Sequence, residues 1–154
     1  MPRILRVISK QLLLAAGGLS CGVAVFQALI TVSPSWSLYF GAPEELVANT
    51  LILYISGWAA ALVFAVFGLY ALSGLGYIRS LPFPRLGLLG IGGVYTLRGL
   101  AIIPQILTVL NIYTFSIYTT PQGLVSSLVS LVIGLVYLAG TISAWPDLPL
   151  KSAN

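Results

Sequence analysis

Residues 46–72 read LVANTLILYISGWAAALVFAVFGLYAL, without one charged side chain. Wound as an α-helix at about 1.5 Å per residue, the stretch is roughly 40 Å long, enough to cross a hydrocarbon layer of about 30 Å with some tilt. A water-soluble core does not need an unbroken apolar rod of that length, so the solvent this segment expects is lipid. Working outward, three similar segments appear, at about 12–32, 86–110 and 124–144. Breakers separate them. Ser33-Pro34 and Gly41-Ala42-Pro43 bound the first connection, Ser73-Gly74 with Pro82 and Pro84 the second, and Pro121 with Gly123 the third.

The whole chain fits that reading. Its 154 residues are 58% hydrophobic and 6% charged, with too little polar surface to cover a water-soluble globule. Four crossings with short connections use up the length, which predicts one transmembrane domain over residues 1–154. The expected fold is all-α, an integral membrane four-helix bundle.

Orientation follows from the bases. Arg3, Arg6 and Lys10 precede the first span, Arg79 and Arg85 separate the second from the third, and Lys151 follows the fourth, so all six fall on one side. The opposite connections carry no Lys or Arg but do hold Glu44 and Glu45. The positive-inside rule then places both termini in the cytoplasm. It also accounts for the net charge of +4 without nucleic acid, because the bases flank apolar segments instead of forming a stripe. Trp36, Tyr39 and Phe40, and on the other outer connection Tyr113, Phe115 and Tyr118, suit a belt at headgroup level.

Shifting the chain by 78 positions aligns Gln27 with Gln105, Pro43 with Pro121, Leu46-Val47 with Leu124-Val125 and Leu53 with Leu131, without a gap. The chain therefore reads as a tandem repeat of two helical hairpins, the copies sharing one orientation about an axis along the membrane normal. Small residues recur in every span, among them Gly18 and Gly22, Gly57 and Ala61, Gly92 and Gly99, and Ser126, Ser127 and Ser130. In lipid, such residues let backbones approach. Cys21, the single cysteine, reads as one of them, with no disulfide framework to join.

Arg98 is the costly residue, about twelve positions from each end of the third span. An arginine at that depth costs about 2.5–3.5 kcal/mol on insertion scales and is expected to face a bundle interior or a wet cavity. It does not escape by deprotonation, so acceptors or an anion should lie near it. Tyr95 and Gln105 share its helical face by spacing, and Gln27 occupies the matching depth in the first copy. Glu44 and Glu45 open the second helix, where negative charge suits the positive end of the helix dipole; they could approach Arg98 only through a wet or tilted outer half. The candidate cluster is thus Arg98, Gln27, Tyr95, Gln105, Glu44 and Glu45, acting as a structural latch or as a binding point for an anionic or carbonyl-bearing lipophile.

Enzyme chemistry has little material. The chain has no histidine and one thiol, which excludes a histidine-bearing triad and the usual zinc or haem sites, so no catalytic residue, metal or cofactor is expected. The glycines at 87, 90, 92 and 93 lie within an apolar span and read as packing residues, not as a phosphate cradle.

The run Gly68-Leu-Tyr-Ala-Leu-Ser-Gly-Leu-Gly76, with Leu81-Pro82, Tyr95-Thr-Leu-Arg98-Gly99-Leu100 and Pro104-Gln105, resembles small uncharacterised bacterial inner-membrane proteins of four helices. The likeness covers about a quarter of the chain and implies a bacterial inner membrane, with no particular activity attached. Three function classes follow in order. The first is a non-enzymatic accessory or assembly subunit acting through helix contacts with a membrane partner. The second is a protein that binds or transports a lipophilic or anionic small molecule at Arg98, with a homo-oligomer supplying the pathway, and the third is a membrane enzyme.

Overall fold

The computed structural model describes residues 3–79, 81–112, 120–146 and 148, with side chains from Val7 onward. Tyr113, Phe115, Tyr118, Asp147 and Lys151, and the side chains of Arg3 and Arg6, lie outside what is described. The described residues are helical with no strand. In order they form α1 (Arg3–Thr31), α2 (Pro34–Tyr39), α3 (Glu44–Ala48), α4 (Thr50–Gly74), α5 (Pro84–Leu100), α6 (Ile102–Val109) and α7 (Pro121–Ala144).

Four stretches, Val7–Thr31, Thr50–Gly74, Pro84–Val109 and Pro121–Ala144, are long and apolar enough to cross a membrane. By length and composition the chain is a multi-pass membrane protein.

Helix ends follow local chemistry. Pro34, Pro84 and Pro121 each stand in a first turn, where the missing N–H costs nothing. α2, α4 and α6 each end in a Schellman motif, with Gly41 (φ 97°), Gly76 (φ 78°) and Asn111 (φ 55°) in the left-handed region. At Gly76 the paired bonds run from its N–H to the Ser73 carbonyl and from Tyr77 N–H to the Leu72 carbonyl, both 3.0 Å.

Two spans that read as unbroken in the sequence are interrupted, and α1 and α7 begin earlier than their apolar runs, at Arg3 and Pro121. The apolar run from Leu46 is interrupted, because the Asn49 side chain accepts the Ile52 N–H (3.3 Å) and starts α4 afresh at Thr50. The third span is broken at Ala101 between α5 and α6, where Pro104 has no N–H for the Leu100 carbonyl one turn back. The first outer connection is also more structured than a loop, since α2 and α3 occupy it.

The long helices pack antiparallel in the cyclic order α1, α4, α5 (with α6), α7, and the α4–α5 seam is the slightest of the four. The α5–α7 seam is the closest approach: a Cβ at Gly99 would land on the backbone of Leu131. Such contact is what holds helices together where lipid tails are as apolar as leucine. The core is Leu13, Ala16, Ala71, Leu88, Ile91, Tyr95, Ile133, Tyr137 and Ala144, closed at one end by Leu148. There Arg85 Nε donates to the Leu148 carbonyl (2.9 Å) while its guanidinium lies 5.4 Å from the Trp145 ring centroid. Lys10, Arg79 and Arg85 stand at this end of the helices, and Glu44 and Glu45 at the other.

The two hairpins pair in different registers. In the first, Gly17 meets Ala71 and Gly57 meets Thr31; in the second, Gly92 meets Leu138 and Gly99 meets Leu131. A 78-residue shift carries Thr31–Gly57 onto Val109–Leu135, whereas extending the observed register brings Val109 level with Pro121, the start of α7. The extra chain in α2 and α3 lets the outer turns of α4 run past the end of α1, and the second hairpin has no such segment among its described residues.

Candidate functional site

The site is built on four helix faces that meet near mid-depth. Ser20 of α1 has its hydroxyl 3.2 Å from that of Tyr95 on α5 and 3.1 Å from that of Tyr137 on α7. The Tyr137 hydroxyl also donates to the Phe67 carbonyl of α4 (2.9 Å). Every long helix thus contributes one group. The rings close the remaining space: Tyr95 and Tyr137 stack at 6.0 Å, Phe64 stacks on Tyr95 at 5.9 Å, and Phe67 meets Tyr95 edge-on at 5.7 Å. Ser20, Tyr95 and Tyr137 are buried, so the assembly is sealed at this level.

Following the same faces toward the Glu44 end opens it. On α7, Ser126, Ser130, Ile133, Tyr137 and Ala144 recur at spacings of four, three, four and seven, which is one face of a helix. Ile133, Tyr137 and Ala144 on it are buried, yet Ser126 is exposed and Ser130 half-buried. On α4 the stripe Phe67, Phe64, Ala60, Ser56 passes from half-buried to exposed in the same direction. On α1, Gln27 stands two turns beyond Ser20 and is half-buried. Above the tyrosines, exposure therefore rises along these faces of α4 and α7.

Arg98 stands one turn beyond Tyr95. Its Nη1 donates to Ser127 Oγ and its Nη2 to Ser126 Oγ, each 3.2 Å. In the α5–α7 register Ser127 is level with Ile103, so the guanidinium leans outward by about five residues, or roughly 7 Å of helix rise. A lean of that kind is how a long basic side chain moves its charge toward water. The residue is exposed and makes no ion pair among the described residues. Of five guanidinium N–H groups, two are engaged by serine hydroxyls and three remain.

The other anticipated members scatter. Tyr95 belongs to the buried hydroxyl assembly and bonds Ser20, not Arg98. Gln105 is buried whereas Arg98 is exposed, and its Oε1 has no partner among the described residues, so it does not bond Arg98. Glu44 and Glu45 are exposed in α3 and form no pair with Arg98. Gln27 Nε2 reaches only Thr31 Oγ1, at 3.5 Å. The sequence reading missed Ser20, Phe67 and Tyr137 and took Ser126 and Ser127 for packing residues. A tyrosine at mid-span, away from either headgroup layer, and two adjacent serines in an apolar helix were the available signals.

A cleft of about 300 Å³ lies between α1, α2, α3 and α4, lined by Gln27, Thr31, Ser37, Phe40, Leu53 and Ala60 among others. Arg98 does not line it. No group of three or more His, Cys, Asp or Glu that could hold a metal occurs among the described residues. No protein-family model, no curated protein and no solved structure matches the chain.

Proposed function

We propose that the chain is a multi-pass inner-membrane protein that binds a lipophilic anion at Arg98, entering from the side opposite the termini. One observation carries the reading: a guanidinium that leans outward from mid-span is held by two serine hydroxyls with no carboxylate, above a level closed by tyrosines. Of the two serines only Ser127 is buried, and a structural latch in hydrocarbon would have its remaining donors paired as well, because an unpaired charge there is expensive. Here three donors stay free on an exposed residue, which is the arrangement an incoming carboxylate or phosphate would complete. Both termini are assigned to the cytoplasm by the bases at the Lys10, Arg79 and Arg85 end.

Gentle purification followed by native mass spectrometry tests the proposal. A discrete small anion retained by the wild-type chain and lost from a folded Arg98→Gln variant supports it; retention unchanged in that variant overturns it.

A second reading, an accessory subunit working through helix contacts, is favoured by a different observation. A Cβ at Gly18 or Gly22 would meet nothing within 4 Å, so this four-spaced pair on α1 packs against no other part of the described chain. A recurrent foreign subunit in the same spectra, lost on Gly22→Leu, would favour that reading.

A further inference from the structure

The cleft between α1 and α4 differs in kind from the surroundings of Arg98. Ile30, Phe40, Leu46, Leu53 and Ala60 supply an apolar lining, and no Lys, Arg, Asp or Glu is among the lining residues. Its polar groups are a carboxamide and hydroxyls, and most of the hydroxyls are already committed. Thr31 Oγ1 donates to the Gln27 carbonyl (2.7 Å), Ser37 Oγ to the Ile30 carbonyl (2.8 Å) and Ser56 Oγ to the Ile52 carbonyl (2.8 Å). The Gln27 carboxamide is different. Only one of its N–H groups has a partner, at the long distance of 3.5 Å, which leaves a second N–H and the Oε1 acceptor unused among the described residues.

A carboxamide in a cleft without charged groups bonds a group that both gives and takes a hydrogen bond. An ionic head would enter without a counter-charge, and desolvating it there would be costly. We infer that this cleft is a second binding site, separate from Arg98, for a neutral single-chain lipophile whose hydroxyl or carbonyl head meets Gln27. The volume is at the lower end for small-molecule sites, which fits one head and the first part of a chain, not a two-chain phospholipid. The tail leaves through the open side of the cleft into the surrounding lipid.

The test uses the full chain in phosphatidylcholine nanodiscs with a photoactivatable monoacylglycerol, and the matching photoactivatable fatty acid as its anionic counterpart. The expected result is monoacylglycerol crosslinking to α1 and α4 within residues 27–60 in the wild type. Gln27→Leu should lower it by about tenfold, the factor that corresponds to about one hydrogen bond. Ala60→Phe, which fills the cleft from the opposite wall and keeps Gln27, should do the same, and Arg98→Gln should leave it unchanged. Crosslinking of the wild type outside residues 27–60, unchanged labelling in folded Ala60→Phe, or equal labelling of the cleft by the fatty acid would overturn the inference. The Arg98 proposal stands or falls separately, on retention of an anion by the wild type and its loss in Arg98→Gln.

Discussion

The hydroxyl of Tyr137 donates to the backbone carbonyl of Phe67 at 2.9 Å, tying the fourth span to the second across the middle of the protein. That carbonyl sits inside a helix ladder, so the tyrosine uses its second lone pair. Tyr137→Phe removes this bond and one partner of Ser20 while keeping the ring stack on Tyr95. Interhelical side-chain bonds in membrane proteins are worth about 0.6 kcal/mol on average and at most about 1.7 kcal/mol. The variant should fold with a lowered thermal midpoint in detergent, and an unchanged midpoint would mean that the stacked rings alone hold this level.

Gly99 and Gly93 make a matched pair on α5. A Cβ at Gly99 would land on the Leu131 backbone, whereas one at Gly93 would meet nothing within 4 Å. Gly99→Ala should therefore force α5 and α7 apart, with a penalty in the overpacking range of about 1–3 kcal/mol. Gly93→Ala should be neutral, or stabilising by about 1 kcal/mol through helix propensity. Unfolding of the two variants in parallel checks the pairing register on which the Arg98 geometry depends.

That register is also where sequence reading reached its limit. The four spans were legible because hydropathy over twenty residues is a one-dimensional signal, and Arg98 was legible because a charge in hydrocarbon is costly wherever its helix points. Its partners were not. Whether Ser126 and Ser127 stand beside Arg98 depends on how far α7 slides along α5, which close packing at Gly99 and Gly134 decides and no local pattern records. The matches between Gln27 and Gln105 and between Leu53 and Leu131 likewise suggested equivalent hairpins, but α2 and α3 shift the first pairing away from the second. Gln105 illustrates the same point on a smaller scale, since it shares the spacing of Arg98 yet is buried while Arg98 is exposed.

Arg98→Lys separates charge from geometry. Lysine keeps the positive charge but offers a point donor in place of a planar fork. Binding of a carboxylate by the folded variant should fall by about tenfold, a smaller loss than in Arg98→Gln, because the two-point contact is lost while the attraction remains. Wild-type binding should also fall in acid, as the ligand's own carboxylate takes up a proton. Isothermal titration of both proteins, and of the wild type against pH, reads the two effects; equal affinity in Arg98→Lys would mean that the planar fork makes no two-point contact.

The change in burial along α7 makes a sided prediction. Ser126 is exposed and Thr141 buried, fifteen positions apart on α7, with Tyr137 between them. In a Cys21→Ser background, Ser126→Cys should react with a membrane-impermeant thiol reagent added from the face carrying Trp36, and Thr141→Cys should stay unlabelled from either face. Prior addition of the bound anion should protect Ser126→Cys, because that hydroxyl lies 3.2 Å from Arg98 Nη2. Labelling of Thr141→Cys from the Trp36 face would mean that water passes the tyrosine level. The chain would then be a conduit with Arg98 partway along it, instead of a receptor closed at one end.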